Sequence, residues 1–191
     1  MIKKIFVEGA DCTGKTTIAK AIHKNVSKHN IQKSTLILCS EVFEKNKSWM
    51  TDIADVFNSF IDCNQPCNDI TFLDTSLHIF DRSPFADIIR KGEKSRFLMD
   101  GFFKNMYSAI CQSNDLFIFT TNVSYDAYKK YSLQKKISGV KTDYFDFLSE
   151  AEFYEFQHFI LKTALEKGVR NYIIIDENYI NCDEPIRKIF G

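Results

Sequence analysis

Nine consecutive residues carry the clearest chemistry in this chain: Gly9-Ala10-Asp11-Cys12-Thr13-Gly14-Lys15-Thr16-Thr17, which fit the spacing G-x-x-x-x-G-K-[ST]. Each residue type has a physical reason to stand where it does. Gly9 lets the chain leave a strand in a tight turn, after which successive backbone N–H groups can face inward around a polyphosphate. The N-terminus of a following helix adds the positive end of its dipole. Lys15 places one mobile ammonium on the β- and γ-phosphates, and the Thr16 hydroxyl is an oxygen ligand suited to Mg²⁺. A glycine-rich turn with a surface lysine is the bland alternative. The context favours the phosphate loop, because an apolar strand precedes it and an amphipathic helix follows. The loop therefore predicts binding of a nucleoside triphosphate. No N-K-x-D appears, and the single D-x-x-G, Asp11 to Gly14, lies inside the loop itself, so a GTPase switch is disfavoured.

The elements that must position this loop can be read from periodicity. Lys3 to Glu8 is a β-rich run, and the chain from Gly14 onward is helical, with Ile18, Ala19, Ala21, Ile22 and Val26 on one stripe. Thr35 to Cys39 reads as a second strand, apolar throughout, as expected where both faces are covered. Residues 47–62 return to a helical period, and Asn64 to Asn68 is a turn-rich loop. Leu77 to Phe80 is a third strand, followed by Asp81-Arg82-Ser83-Pro84, where Ser83 suits an N-cap and Pro84 a first helical position. Residues 97–112 form a helix, Leu116 to Thr120 a fourth strand, and 124–137 and 149–167 two more helices, with Gly168 as a stop. Tyr172 to Ile175 is a fifth strand. Short apolar strands alternating with helices predict an α/β fold in three layers, a five-stranded parallel sheet with helices on both faces, in one domain over 1–191. In such a sheet the carboxyl ends of strands one and three flank one crevice, which brings Asp81 and Arg82 toward the loop.

Here a resemblance enters. Glu8 to Thr17 resembles the E-G-x-D-G-x-G-K-[ST]-T loop of thymidylate kinases, and Asp81-Arg82-Ser83-Pro84-Phe85-Ala86-Asp87 looks like their D-R-[YHS] motif. The same segment is equally similar to the E-R-S-x-x-x-D motif of deoxynucleoside kinases, a related family of P-loop kinases. The resemblance implies transfer of the γ-phosphate of ATP, with Mg²⁺, to a deoxynucleoside or its monophosphate, thymidine or thymidylate foremost. It implies that Asp11 accepts a hydrogen bond from the acceptor's sugar hydroxyl. Asp81 would help hold Mg²⁺ beside Thr16, and Arg82 would hold the acceptor's reactive oxygen or phosphate near the γ-phosphate. Asp87 falls where deoxynucleoside kinases keep an acid for base recognition, and Glu41 where they keep a general base. Ser40-Glu41-Val42 lacks the flanking arginine and proline of the thymidylate kinase R-E-P, and Cys12 replaces the usual loop glycine. Read without the resemblance, Asp81 and Arg82 also suit an ion pair capping the next helix. Asp87 suits a solvated acid or a partner for Arg90, and Phe85 suits either core or a stacking platform. Phe72, Phe80, Phe102 and Phe103 are expected in the core. Both families are commonly dimeric, which makes a homodimer an expectation.

Composition narrows the partners. The 191 residues hold 25 Lys plus Arg against 25 Asp plus Glu, so the chain is not built to coat nucleic acid or an anionic membrane. No apolar run approaches a membrane span, and a signal-peptide-like start is interrupted by Glu8, Asp11 and Lys15. Six cysteines without a CxxC predict reduced thiols and a cytoplasmic location. The neutral total conceals a local excess: residues 124–141 carry Lys129, Lys130, Lys135, Lys136 and Lys141 and no arginine. A lid over the phosphates is expected at about 124–148, where lysine gives mobile point charges in place of arginine's bidentate grip. Two further hypotheses follow. One is a kinase acting on a hydroxyl of a nucleic acid or modified base, held by that lysine strip. The other is a catalytically silent ATP-binding module.

Overall fold

The computed structural model describes residues 4–28, 33–48, 50–61, 77–113, 115–139 and 149–179. Trp49, Cys63, Cys67, the 64–68 loop, Phe72, Cys182 and Arg187 lie outside them, as do Lys141 and the 140–148 part of the expected lid. Five strands, β1 (Lys4–Glu8), β2 (Ser34–Ile37), β3 (Leu77–Phe80), β4 (Leu116–Phe119) and β5 (Tyr172–Ile174), pair in parallel in the order β2-β3-β1-β4-β5. The order explains where a ligand can enter. From β1 the chain visits β2 and β3 on one side, then crosses to β4 and β5 on the other. The carboxyl end of β1 is thus the switch point at which a crevice opens.

The central strands are apolar at nearly every position because both faces are covered, yet the two faces differ in kind. Alternate side chains point to opposite faces, which puts Phe6, Phe80, Phe117 and Phe119 on one side and Ile5, Val7, Leu77, Ile79, Leu116 and Ile118 on the other. The aromatic side is a stacked row, with Phe6 centred 5.0 Å from Phe80 and 5.0 Å from Phe117. It packs against α3 (Ile53–Ile61), α4 (Phe85–Lys91), α6 (Gly101–Gln112) and α8 (Glu150–Glu166) through Phe57, Phe85, Tyr107, Phe153 and Ile160. The aliphatic side receives α1 (Lys15–Lys28), whose Ile18, Ala19, Ile22 and Val26 form one helical face. Helices on both sides of the sheet complete the three layers.

Three boundaries differ from the sequence expectation by more than one residue, each for a hydrogen-bonding reason. The second strand stops at Ile37, not Cys39: a separate helix, α2 (Cys39–Lys45), begins there, and the Cys39 N–H donates to the Asp81 carboxylate at 2.9 Å. The helix expected over 47–62 starts only at Ile53, because the Asp52 carboxylate accepts from Ala54 N at 2.8 Å and Asp55 gathers the Thr51 and Asp52 N–H groups. The helix expected over 97–112 is two, α5 (Arg96–Met99) and α6, separated at Asp100, whose side chain accepts from Phe102 N and Phe103 N and caps the second. The helix expected over 124–137 is α7 (Tyr125–Ile137), capped by Ser124. A Ser149–Glu152 capping box starts α8, and Gly168, at φ 97°, follows its end. Phe80 and Phe103 are core as expected, Phe85, which suited either role, is fully buried in the core, and Phe102 is exposed. No described helix is long and apolar enough to cross a membrane.

Candidate functional site

The loop from Gly9 to Lys15 links the end of β1 to the start of α1, as its spacing predicts. A Cβ at Gly9 would collide with the Thr120 hydroxyl at the end of β4, so only glycine allows the loop to lie this close to its neighbouring strand. Gly14 and Cys12 both turn through positive φ, 85° and 62°; glycine does this without strain, whereas cysteine is strained there. Thr13 closes the turn by donating its hydroxyl to Ala10 O at 2.7 Å and sharing a hydrogen bond with Thr120. Ala10 is fully buried, and Thr17 is exposed on the first turn of α1. The Lys15 ammonium lies inside the loop, donating to Gly9 O at 2.9 Å and Ala10 O at 2.6 Å. Burial lowers its pKa from the usual lysine value, against the pull of Asp11, Glu8 and Asp81.

Beside the loop, β3 delivers Asp81, Arg82 and Ser83. Thr16 Oγ1 donates to Asp81 Oδ2 at 3.1 Å, which brings together the two side chains expected to hold Mg²⁺. A hydroxyl and a carboxylate are hard oxygen donors, and Mg²⁺ is commonly held by one or two such groups plus phosphate oxygens and water, so this pair fits the ion. Asp81 is fixed through its other oxygen by the Cys39 N–H. Glu8, absent from the expected site residues, binds the two segments together. It is only 2% exposed, and it accepts from Gly9 N at 2.9 Å, Ser83 N at 3.0 Å and Ser83 Oγ at 2.6 Å.

On the other side of the loop lies an open crevice, floored by Glu8 to Asp11 and Arg82 and walled by α4 and α8. Arg82 Nη2 stands 3.7 Å from Asp11 Oδ1, and Lys15 Nζ 3.6 Å from the same oxygen. Burial alone would raise the Asp11 pKa, but Lys15, Arg82, Arg90 and Lys135 outweigh it and hold the carboxyl below its usual range. Burial likewise opposes the charge on Arg82, and Asp11, Glu8 and Asp81 win, holding its pKa above the usual arginine value. The crevice thus sets two carboxylates, Glu8 and Asp11, beside two arginines, Arg82 and Arg90.

Two expected residues stand apart. Glu41 is exposed in the first turn of α2 and has no hydrogen bond or ion pair among the described residues. Asp87 is buried but turned away from the crevice, its carboxylate taken by Ser95 Oγ at 2.6 Å and Lys91 Nζ at 2.8 Å. Its partner on α4 is thus Lys91, one turn on, and not Arg90. Of the lysine strip, Lys129 pairs with Asp126 at 2.8 Å, while Lys135 acts on Asp11 and Cys12 across the loop. Arg90, which the sequence offered as a partner for Asp87, and Phe156, which it did not single out, line the crevice. One signal for Arg90 was available: Ala86, Ile89 and Arg90 share a face of any helix that starts at Pro84. For Phe156 there was none, since it reaches the site from α8 by tertiary packing alone. No protein-family model matches this chain, and no curated protein matches it in sequence.

Proposed function

We propose that this chain is an ATP-dependent phosphotransferase that moves the γ-phosphate to a deoxynucleoside or deoxynucleoside monophosphate. One observation carries the proposal: the phosphate loop stands between two different sites. On one side the Thr16–Asp81 pair offers hard oxygens, and on the other Asp11 and Arg82 floor a crevice open to a second molecule. A binding switch needs only the first side, whereas a transferase needs an acceptor in line with the donor. The motif resemblance to thymidylate and deoxynucleoside kinases makes thymidine or thymidylate the leading acceptor.

In this mechanism Lys15 leaves the loop carbonyls for the β- and γ-phosphates and neutralises charge there. Thr16 and Asp81 would hold Mg²⁺, which would neutralise negative charge on the phosphates when bound. Arg82 spans from Asp11 toward the transferring group, and Glu8 fixes the turn that carries it. The protein's contribution is positioning and electrostatics, with no covalent step of its own. The test is one radiolabelled ATP panel of nucleosides, nucleoside monophosphates and short DNA, with Lys15→Ala and Arg82→Ala beside the wild type. Each substitution should lower turnover by about 100-fold or more. Binding of ATP without labelling of any acceptor would mean a silent nucleotide-binding module. Labelling of oligonucleotides that falls steeply with salt would mean a nucleic acid kinase.

A further inference from the structure

We infer that Thr120, at the end of β4, and Thr13, in the loop, form a hydroxyl chain that lets Lys15 leave the loop for a phosphate. Both are positioning residues. They act on the nucleotide through the Ala10 carbonyl and Lys15, and neither needs to touch it. The inference rests on the phosphotransferase proposal, in which Lys15 moves, and adds the residues that make the move possible.

The direction of the chain follows from counting hydrogens. A hydroxyl has one proton to give and can accept at its oxygen. Thr13 Oγ1 donates to Ala10 O at 2.7 Å, so its proton is committed. The hydrogen bond joining Thr13 Oγ1 to Thr120 Oγ1 must then be donated by Thr120. Glu8 O also lies 3.3 Å from Thr120 Oγ1, but it already receives the Thr120 N–H at the shorter distance of 2.8 Å. The order is therefore Thr120 hydroxyl to Thr13 hydroxyl to Ala10 carbonyl. All three residues are fully buried, so bulk water does not stand in for a missing member. Gly9 belongs to the same device. A Cβ there would collide with Thr120 Oγ1 and crowd Thr13 Oγ1 at 3.0 Å, so glycine lets the two hydroxyls meet.

The chain matters because Ala10 O has two donors, Thr13 Oγ1 and Lys15 Nζ at 2.6 Å. When Lys15 swings to the β- and γ-phosphates, the carbonyl loses one of them. A buried carbonyl left without any donor carries a desolvation penalty, and that penalty would hold the lysine back. Thr13 removes it by staying on Ala10 O. Thr120 keeps the Thr13 proton aimed at the carbonyl by occupying the Thr13 oxygen from the other side. The same anchor fixes the peptide that bears Asp11, whose carboxylate stands 3.6 Å from Lys15 and lines the crevice. Thus β4 steadies, from outside the loop, both the cation that must move and the acid that must not.

The test measures equilibrium binding of ATP with Mg²⁺, of inorganic tripolyphosphate and of AMP by calorimetry, with a urea midpoint for every variant. Thr13→Val keeps the side-chain shape and removes the hydroxyl, whereas Thr13→Ser keeps the hydroxyl. Thr13→Val should weaken ATP and tripolyphosphate by about 10-fold and AMP by less than about 2-fold, and Thr13→Ser should recover most of the loss. Thr120→Ala should weaken ATP by about 3-fold, again recovered by Thr120→Ser. In a Lys15→Ala background, Thr13→Val should change ATP binding by less than about 2-fold, because no lysine then leaves Ala10. Equal losses for ATP and AMP, no recovery by serine, or an undiminished loss without Lys15 would overturn the inference and leave the phosphotransferase proposal standing. Should Thr13→Val fail to fold, the Thr120 pair decides alone, and equal ATP affinity for Thr120→Ala and Thr120→Ser would overturn it. A wild type that binds neither ATP nor tripolyphosphate would sink the two proposals together.

Discussion

At the scale of single residues, Cys12 shows how far the loop tolerates departure from glycine. It holds φ 62° and is buried, with its thiol pKa raised by burial. Cys12→Gly should change stability by no more than about 1 kcal/mol, because strain relief is offset by a looser unfolded chain and a lost buried sulfur. Cys12→Val should cost about 2 kcal/mol or more, since a branched Cβ at positive φ clashes with its own backbone. Urea unfolding of the two variants decides it, and equal midpoints would rule out backbone strain as the cause. The Gly9–Lys15 turn was legible in the sequence because its shape depends on residue types at fixed local spacing. Glu8 was legible only as part of a motif. Its work is done with Ser83, a residue distant in sequence, and no local pattern shows that three donors converge on its carboxylate.

At the scale of elements, α4 divides its work between two faces. Ala86, Ile89 and Arg90 look into the crevice, whereas Asp87 and Lys91 tie the helix to Ser95 and to Asp52 ahead of α3. Lys91→Ala should therefore cost about 1–2 kcal/mol by leaving the buried Asp87 with Ser95 alone, and acceptor KM should stay unchanged. A shift in acceptor KM without loss of stability would instead return Asp87 to acceptor recognition. Asp100→Ala should cost about 1 kcal/mol in thermal or urea unfolding by removing the cap of α6. The strands at Leu77 and Leu116 and the helices after Ser124 and Ser149 were readable because apolar runs and capping residues are local signals. The short α2 and the break at Asp100 were not, since a hydrogen bond from Cys39 to distant Asp81 cuts short an apolar strand run at the first and a side-chain cap interrupts a helical period at the second. Arg90 could be placed on a helical face from sequence; that this face meets α8 could not.

At the scale of the whole molecule, the sheet separates aromatic from aliphatic packing. Phe6 stacks on Phe80 and Phe117 at the centre of one face, so Phe6→Ala should cost about 3–5 kcal/mol, whereas Ile5→Val on the other face should cost about 1 kcal/mol, both read from denaturant midpoints. Similar losses for both would show that the aromatic row adds nothing beyond its area. The even charge of the chain likewise conceals a local arrangement: lysine from α7 and arginine from α4 both reach the field around Asp11. The five-stranded parallel sheet was legible from alternation of short apolar strands with helices, but its order was not, because every strand is apolar enough to occupy the middle. That order also sets a sequence of events during synthesis. Central β1 is made before both of its partners, so the Gly9–Lys15 loop has no finished sheet to lean on until Phe119 at the end of β4 has been added. Until then the emerging chain exposes two unsatisfied strand edges, and it is in that interval that chaperone binding or misassembly would compete with folding.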